Sequence, residues 1–190
     1  AVNAGGYGRR ELVVRVNGFD TAWGRKDIEA FANAPISALC LPKVESAAEI
    51  HAVVQVLKQA GASPSLKLWA MAETPRGILA VSEIAGSHPL MDGIVLGTSD
   101  LAKDLRVPHT PQRLGMLTSL GMCVLAARAY GIDVFDGVHL NLDDEEGLRL
   151  ACEQGVEMGF DGKTLIHPKQ IAVTNQAFSP AEDTLIRAQK

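Results

Sequence analysis

The chain has few of the residues that would assign it to several large protein classes. Its 190 residues include three cysteines, Cys40, Cys123 and Cys152, odd in number and far apart. That excludes a disulfide framework or a zinc site, and the three read as reduced, buried thiols. Basic residues are not in excess: 18 Lys and Arg stand against 22 Asp and Glu, a net charge of −4. No broad surface therefore exists to neutralise nucleic-acid phosphates. No apolar run approaches the roughly 18 residues of a membrane span. The opening residues lack a charged stretch followed by an apolar one, so no secretory signal and a cytoplasmic location are expected. No G-x-G-x-x-G follows a predicted strand, and there is no P-loop, which sets aside the common nucleotide cradles. The first residue is Ala1 rather than Met, so the translation start is expected to lie upstream.

What the chain does have is a globular composition, 47% hydrophobic and 21% charged, and one recurring pattern. A short apolar run ends in a polar tip, and an amphipathic stretch follows. Leu12–Val16 is predicted as a strand ending at Asn17-Gly18. Ala38–Glu45 is the next, with a helix over Ala47–Gln59 whose Ile50, Val53, Val54 and Leu57 recur at helical spacing before Gly61. A strand from Lys67 ends at Glu73, with a helix near Gly77–Ala85. Another ends near Gly97, followed by a loop around Arg106-Val-Pro-His-Thr-Pro and a helix over Gln112–Tyr130. Asp133–Val138 and Gly162–Pro168 are the last two strands, separated by a helix over Asp144–Met158. A helix is expected to begin at Pro168, and another at Ser179-Pro180 with Glu182 nearby.

Strands alternating with helices imply a parallel sheet. The polar groups close most of the strands: Arg15, Lys43 with Glu45, Glu73, Asp100, Asp136 and His167. Functional groups drawn from many strand ends suit a closed barrel, whereas an open sheet gathers them at one switch point. Six strands are visible, so a (β/α)8 barrel requires two more, most economically before Ala1.

The strongest candidates are Glu73 and Asp100. Each follows an apolar run on consecutive units of the repeat, so two carboxylates converge at one mouth. Mg2+ is typically held by one or two carboxylates, with water and substrate completing its shell. Arg15 lies inside Val-Val-Arg-Val, where a guanidinium needs an anionic partner. Lys43 and Glu45 flank Val44 and point the same way; they either pair with each other or serve the site. Asp136 before Gly137 has the form of a turn residue. His167 before Pro168 fits a hydrogen-bonded structural histidine better than a catalyst.

Six motifs then occur in order: Arg15-Val-Asn-Gly, Leu41-Pro-Lys-Val-Glu-Ser46, Ala72-Glu-Thr-Pro-Arg-Gly77, Gly97-Thr-Ser-Asp-Leu-Ala102, Asp136-Gly-Val, and Gly159-Phe-Asp-Gly-Lys-Thr-Leu-Ile-His-Pro168. Together they resemble the citrate lyase β-subunit and malyl-CoA lyase family of CoA-ester aldolases over nearly the whole chain. The Gly97–Leu105 stretch and Leu125-Ala-Ala-Arg-Ala resemble the malyl-CoA or methylmalyl-CoA branch. The resemblance implies a (β/α)8 barrel of which residues 1–190 supply about six units. It implies Mg2+ bound by Glu73 and Asp100, and Arg15 on the keto-acid oxygens. The substrate carboxylate would be held by the backbone of Gly97, Thr98 and Ser99, with Lys43 and Glu45 as further substrate-binding candidates. The implied activity is cleavage of a 3-hydroxyacyl-CoA to an acyl-CoA and a 2-keto acid. Malyl-CoA hydrolysis, or a citrate lyase β-type subunit working within a complex, are the alternatives. A homo-oligomer, trimer or hexamer, is also implied. The family's first two strand–helix units, with their acidic Asp-Leu-Glu-Asp stretch, have no counterpart before Ala1, and its carboxyl-terminal lid has none after Lys190.

Overall fold

The computed structural model describes residues 2–180; the helix expected from Ser179 lies essentially outside them. Six strands are present: β1 (Val13–Arg15), β2 (Ala38–Leu41), β3 (Lys67–Ala72), β4 (Met91–Leu96), β5 (Asp133–Asp136) and β6 (Gly162–Lys163). All neighbours pair parallel, and the sheet order is β1-β2-β3-β4-β5-β6. A doubly wound sheet reverses its order at a switch point. Here every crossover moves one strand in the same direction, as in a barrel. The chain folds as a six-stave portion of a TIM-type α/β barrel.

The strand pleat divides the side chains between two faces. On β3, Leu68, Ala70 and Ala72 are buried towards the helices, while Trp69 and Met71 face the concave side and are only half-buried. Outward-facing Leu39, Leu41 and Leu68 pack with Ile50, Val53 and Leu57 of α2 (Ala47–Gln59). Ile94, Leu96 and Val134 pack with Leu120, Cys123 and Ala127 of α6 (Leu117–Tyr130). On the concave side the Trp69 and Phe135 rings stack, with centroids 4.6 Å apart. They meet across Gly93, where a Cβ would lie 3.1 Å from the indole.

The helix starts follow from local chemistry. Ser46 Oγ accepts the Glu49 N–H and caps α2, and Thr74 Oγ1 accepts the Gly77 N–H with Pro75 in the first turn of α3 (Pro75–Leu79). Asp144 Oδ1 accepts the Gly147 N–H at the start of α7 (Glu145–Met158), and Glu145 and Glu146 follow it in the first turn, favoured by the helix dipole.

Several expectations shift. The helix near Gly77–Ala85 is two short ones, α3 and α4 (Val81–Ala85). Two helices come where the sequence predicts none: α1 (Gly24–Phe31) and α5 (Thr98–Leu105). The expected Gln112–Tyr130 helix begins as a 3-10 turn at Leu114 and becomes α-helical only from Leu117. The strand over Gly162–Pro168 shrinks to Gly162–Lys163, because Thr164–Ile166 turn across the barrel mouth. Pro168 does open a helical segment, a 3-10 turn that leads into α8 (Ile171–Phe178).

Candidate active site

A cavity of about 520 Å³ opens at the carboxyl ends of the strands. Glu73 comes from the residue after β3, and Asp100 from the first turn of α5, which follows β4 directly. Arg15 ends β1. All three line the cavity together with Gly97, Thr98 and Ser99. Six of the eight candidate metal- and substrate-binding residues thus meet at one place, although Asp100 is helical rather than at a strand tip.

Glu73 is 7% exposed. Its Oε1 accepts the main-chain N–H of Lys43 at 2.9 Å. Burial raises its pKa, and the nearby Asp100 carboxylate adds to the rise; the Lys43 hydrogen bond opposes it. Gly97 makes this approach possible: a Cβ there would lie 2.5 Å from Glu73 Oε2 and closer still to its Cβ. A buried carboxylate beside a second one calls for a cation. Among the described residues no group of three or more potential ligands converges. A two-carboxylate set of this kind fits a hard ion such as Mg2+, which keeps waters and substrate oxygens in its shell.

Lys43 joins the site from its rim, with Nζ 3.6 Å from Asp100 Oδ2. Glu45 does not join it: its carboxylate lies 3.5 Å from Arg76, and it is absent from the cavity wall. The two residues do not pair with each other, because the turn between them sends Lys43 towards Asp100 and Glu45 towards α3. Cys40 neighbours Arg15 in the sheet register and lines the same cavity. Burial pushes its thiol up to about 12, so it stays protonated and is no nucleophile.

Asp136 is no turn residue. It is fully buried, and one Nη1 of Arg113 reaches both its oxygens, at 2.6 and 2.8 Å. Lys163 Nζ reaches Oδ2 at 2.8 Å, and the Gly137 N–H reaches Oδ1 at 2.8 Å. Its carbonyl accepts the Thr164 N–H and hydroxyl, which fixes the Thr164–Ile166 wall of the cavity. His167 accepts the Lys169 N–H through Nδ1 and caps the 3-10 turn after it, as the structural expectation has it. Arg113 carries no sequence signal. It lies in a Pro-containing loop with a left-handed φ of 52°, and its carboxylate partner is 23 residues away. Lys163 had one, its place directly after Gly162 at the end of a strand.

Residues 2–168 match the HpcH/HpaI aldolase/citrate lyase family. The chain belongs to that family. Among its curated members, the (3S)-malyl-CoA thioesterase of Cereibacter sphaeroides is 53% identical over 175 residues, 92% of this chain and 59% of that protein. The citrate lyase subunit beta of Leuconostoc mesenteroides subsp. cremoris is 37% identical over 188 residues, 96% of this chain and 62% of that protein. The chain therefore spans about three fifths of these members. The citrate lyase beta subunit from M. tuberculosis, solved with oxaloacetate and magnesium, superposes with a TM-score of 0.74 at 32% identity. That match covers 88% of this chain and 73% of the other. The family resemblance seen in the six motifs is borne out. No helix among the described residues is long and apolar enough to cross a membrane.

Proposed function

We propose that the protein is a Mg2+-dependent enzyme acting on a malyl-CoA-type 3-hydroxyacyl-CoA, and that it hydrolyses the thioester to the hydroxy acid and free CoA. One observation carries the chemistry: the buried Glu73 carboxylate held beside Asp100 at the cavity mouth, with Arg15 lining the same cavity. The choice of hydrolysis over carbon–carbon cleavage, the sequence's leading expectation, is supported by the 53% identity to a malyl-CoA thioesterase.

Glu73 and Asp100 would hold Mg2+, which when bound supplies Lewis-acid polarisation and a template for substrate oxygens. The N–H groups opening α5 would receive the substrate carboxylate, since a helix N-terminus offers unsatisfied donors and a favourable dipole. Arg15 would face the oxygen that gains negative charge. Its planar fork of donors suits a carboxylate or enolate oxygen, and one such donor typically stabilises a transition state by about 3 to 4 kcal/mol. Half-buried Trp69 and Met71 floor the cavity with apolar surface that limits water. CoA-thioester and acid substrates, and assembly as a trimer or hexamer, belong to the same proposal.

Carbon–carbon cleavage to a 2-keto acid is the second reading. It is favoured by the citrate lyase subunit relatives and by the oxaloacetate in the superposed neighbour. Product analysis with the full-length protein and malyl-CoA separates the two. Malate and free CoA, formed only with Mg2+, are expected. Glyoxylate and acetyl-CoA would establish the lyase. Binding of Mg2+ and keto acid without turnover of free CoA ester would indicate a subunit that works only within a complex.

A further inference from the structure

Lys43 touches both candidate metal ligands at once, through different parts of the residue. Its main-chain N–H donates to Glu73 Oε1 at 2.9 Å, while its Nζ lies 3.6 Å from Asp100 Oδ2. It does this from a left-handed backbone, φ 49°, a conformation uncommon for a residue with a Cβ and found chiefly where the surroundings enforce it. Here they do. Val44 is buried, and its carbonyl packs against α3 so closely that a Cβ on Gly77 would lie 2.5 Å from that oxygen. Ser46 then commits the chain to α2. The turn is fixed on both flanks, so the amide of Lys43 is fixed with it.

The ammonium is not fixed. It ends a flexible four-carbon stem, and both members of its ion pair are about half-exposed or more, 62% and 47%. The remaining cations nearby are differently placed. Arg15 ends β1 in the same cavity and its charge acts on Glu73, but it makes no ion pair with Asp100, and Arg76 pairs with Glu45. Lys43 is the residue that brings positive charge directly to Asp100.

We propose that Lys43 is the resident counter-cation of the Glu73–Asp100 pair, and that its ammonium withdraws from Asp100 when Mg2+ binds. This rests on the reading of Glu73 and Asp100 as the metal site. The main-chain N–H holds Glu73 Oε1, so the carboxylate that would hold the ion is already oriented. The side chain compensates the two carboxylates when no ion is present and opposes the ion when it arrives. Lys43 is thus a positioning residue through its backbone and a setting on metal affinity through its charge.

Isothermal titration of the full-length protein with Mg2+ alone, without substrate, tests this. Lys43→Gln should bind Mg2+ about fivefold more tightly than wild type, the size expected because wild type must give up one unit-charge attraction near 4 Å in a water-like dielectric when the ammonium withdraws. Lys43→Arg should stay within twofold of wild type. Lys43→Gly, which suits the left-handed backbone, should tighten binding as Lys43→Gln does and guards against loss of fold. After EDTA treatment Lys43→Gln should melt below wild type, and Mg2+ should raise its Tm by more. A role confined to holding the turn would instead weaken Mg2+ binding in the uncharged variants. Equal or weaker Mg2+ binding by both Lys43→Gln and Lys43→Gly overturns the proposal while wild-type binding upholds the metal site. Absence of Mg2+ binding by wild type overturns both.

Discussion

Asp136→Asn is expected to be the most damaging single substitution near the site, although Asp136 does not line the cavity. The carboxylate is fully buried and receives four contacts of 2.6–2.8 Å: two from Arg113 Nη1, one from Lys163 Nζ and one from the Gly137 N–H. An ionised carboxylate offers about four acceptor positions, so its capacity is filled. The asparagine amide keeps the shape but removes the charge and turns one acceptor into a donor facing donors. Arg113 and Lys163, whose side chains are 9% and 1% exposed, would be left as two buried cations without an anion. Breaking a buried pair in this way costs about 3–5 kcal/mol, which for a chain of this size lowers Tm by roughly 10 °C. Lys163→Met removes a cation instead of the anion. Asp136 then keeps Arg113 and the Gly137 N–H, so the loss should be under about 2 kcal/mol. Thermal unfolding of the full-length protein followed by circular dichroism measures both. A loss under about 1 kcal/mol for Asp136→Asn, or equal losses for the two variants, would refute the assignment of Asp136 as the centre of a buried charge cluster.

Glu73→Gln and Asp100→Asn should each abolish Mg2+ binding measured by calorimetry; retention of wild-type affinity in both would remove the metal site. Because the folded-state pKa of Glu73 is raised, its ionisation opposes folding. The metal-free protein should lose stability as pH rises from the ordinary glutamate value through the raised one. Glu73→Gln should therefore melt above metal-free wild type at pH 7, and the gap should close in acid; a gap that widens in acid contradicts this. Gly97→Ala should displace the Glu73 side chain and weaken Mg2+ binding at least tenfold, visible in titrations. Arg15→Lys should lower kcat at least tenfold, about 1.4 kcal/mol in the barrier, with CoA affinity unchanged; the opposite pattern would move Arg15 to the nucleotide end.

Most strands were legible because each is a short apolar run with a polar stop, and the barrel arrangement was inferred from polar groups closing many strand ends rather than from alternation alone, which an open sheet shares. Helix α1 was not legible, since its eight residues turn just Ile28 and the partly buried Phe31 to the core as large side chains, too short a run to establish a period. Helix α5 was hidden because Gly-Thr-Ser-Asp has loop composition, yet Thr98 is buried and Leu101 and Ala102 complete an inner face. Glu73 could be picked out because it follows β3 directly, and Asp100 because it lies in the first turn of the helix that follows β4, so the backbone brings both to one end of the sheet. The destination of Glu45 could not: whether a side chain turns towards the barrel mouth or towards Arg76 depends on the φ of Lys43, and no residue pattern announces a left-handed lysine. Asp136 was misread for a related reason. Its following glycine signals a turn, while Arg113 and Lys163 reach it from 23 and 27 residues away.

The stacking of Trp69 on Phe135 gives the cavity an optical reporter. The chain has two tryptophans, and they are unlike. Trp23 is 65% exposed and should emit as a solvated indole. Trp69 is half-buried in the cavity wall, stacked at 4.6 Å, with its indole N–H unpartnered among the described residues. A substrate entering the cavity changes the polarity around that ring and can give its N–H an acceptor. In a Trp23→Phe background the tryptophan emission of these 190 residues would come from the site alone. Occupancy could then be followed by emission wavelength during mixing, before any bond in the substrate is broken.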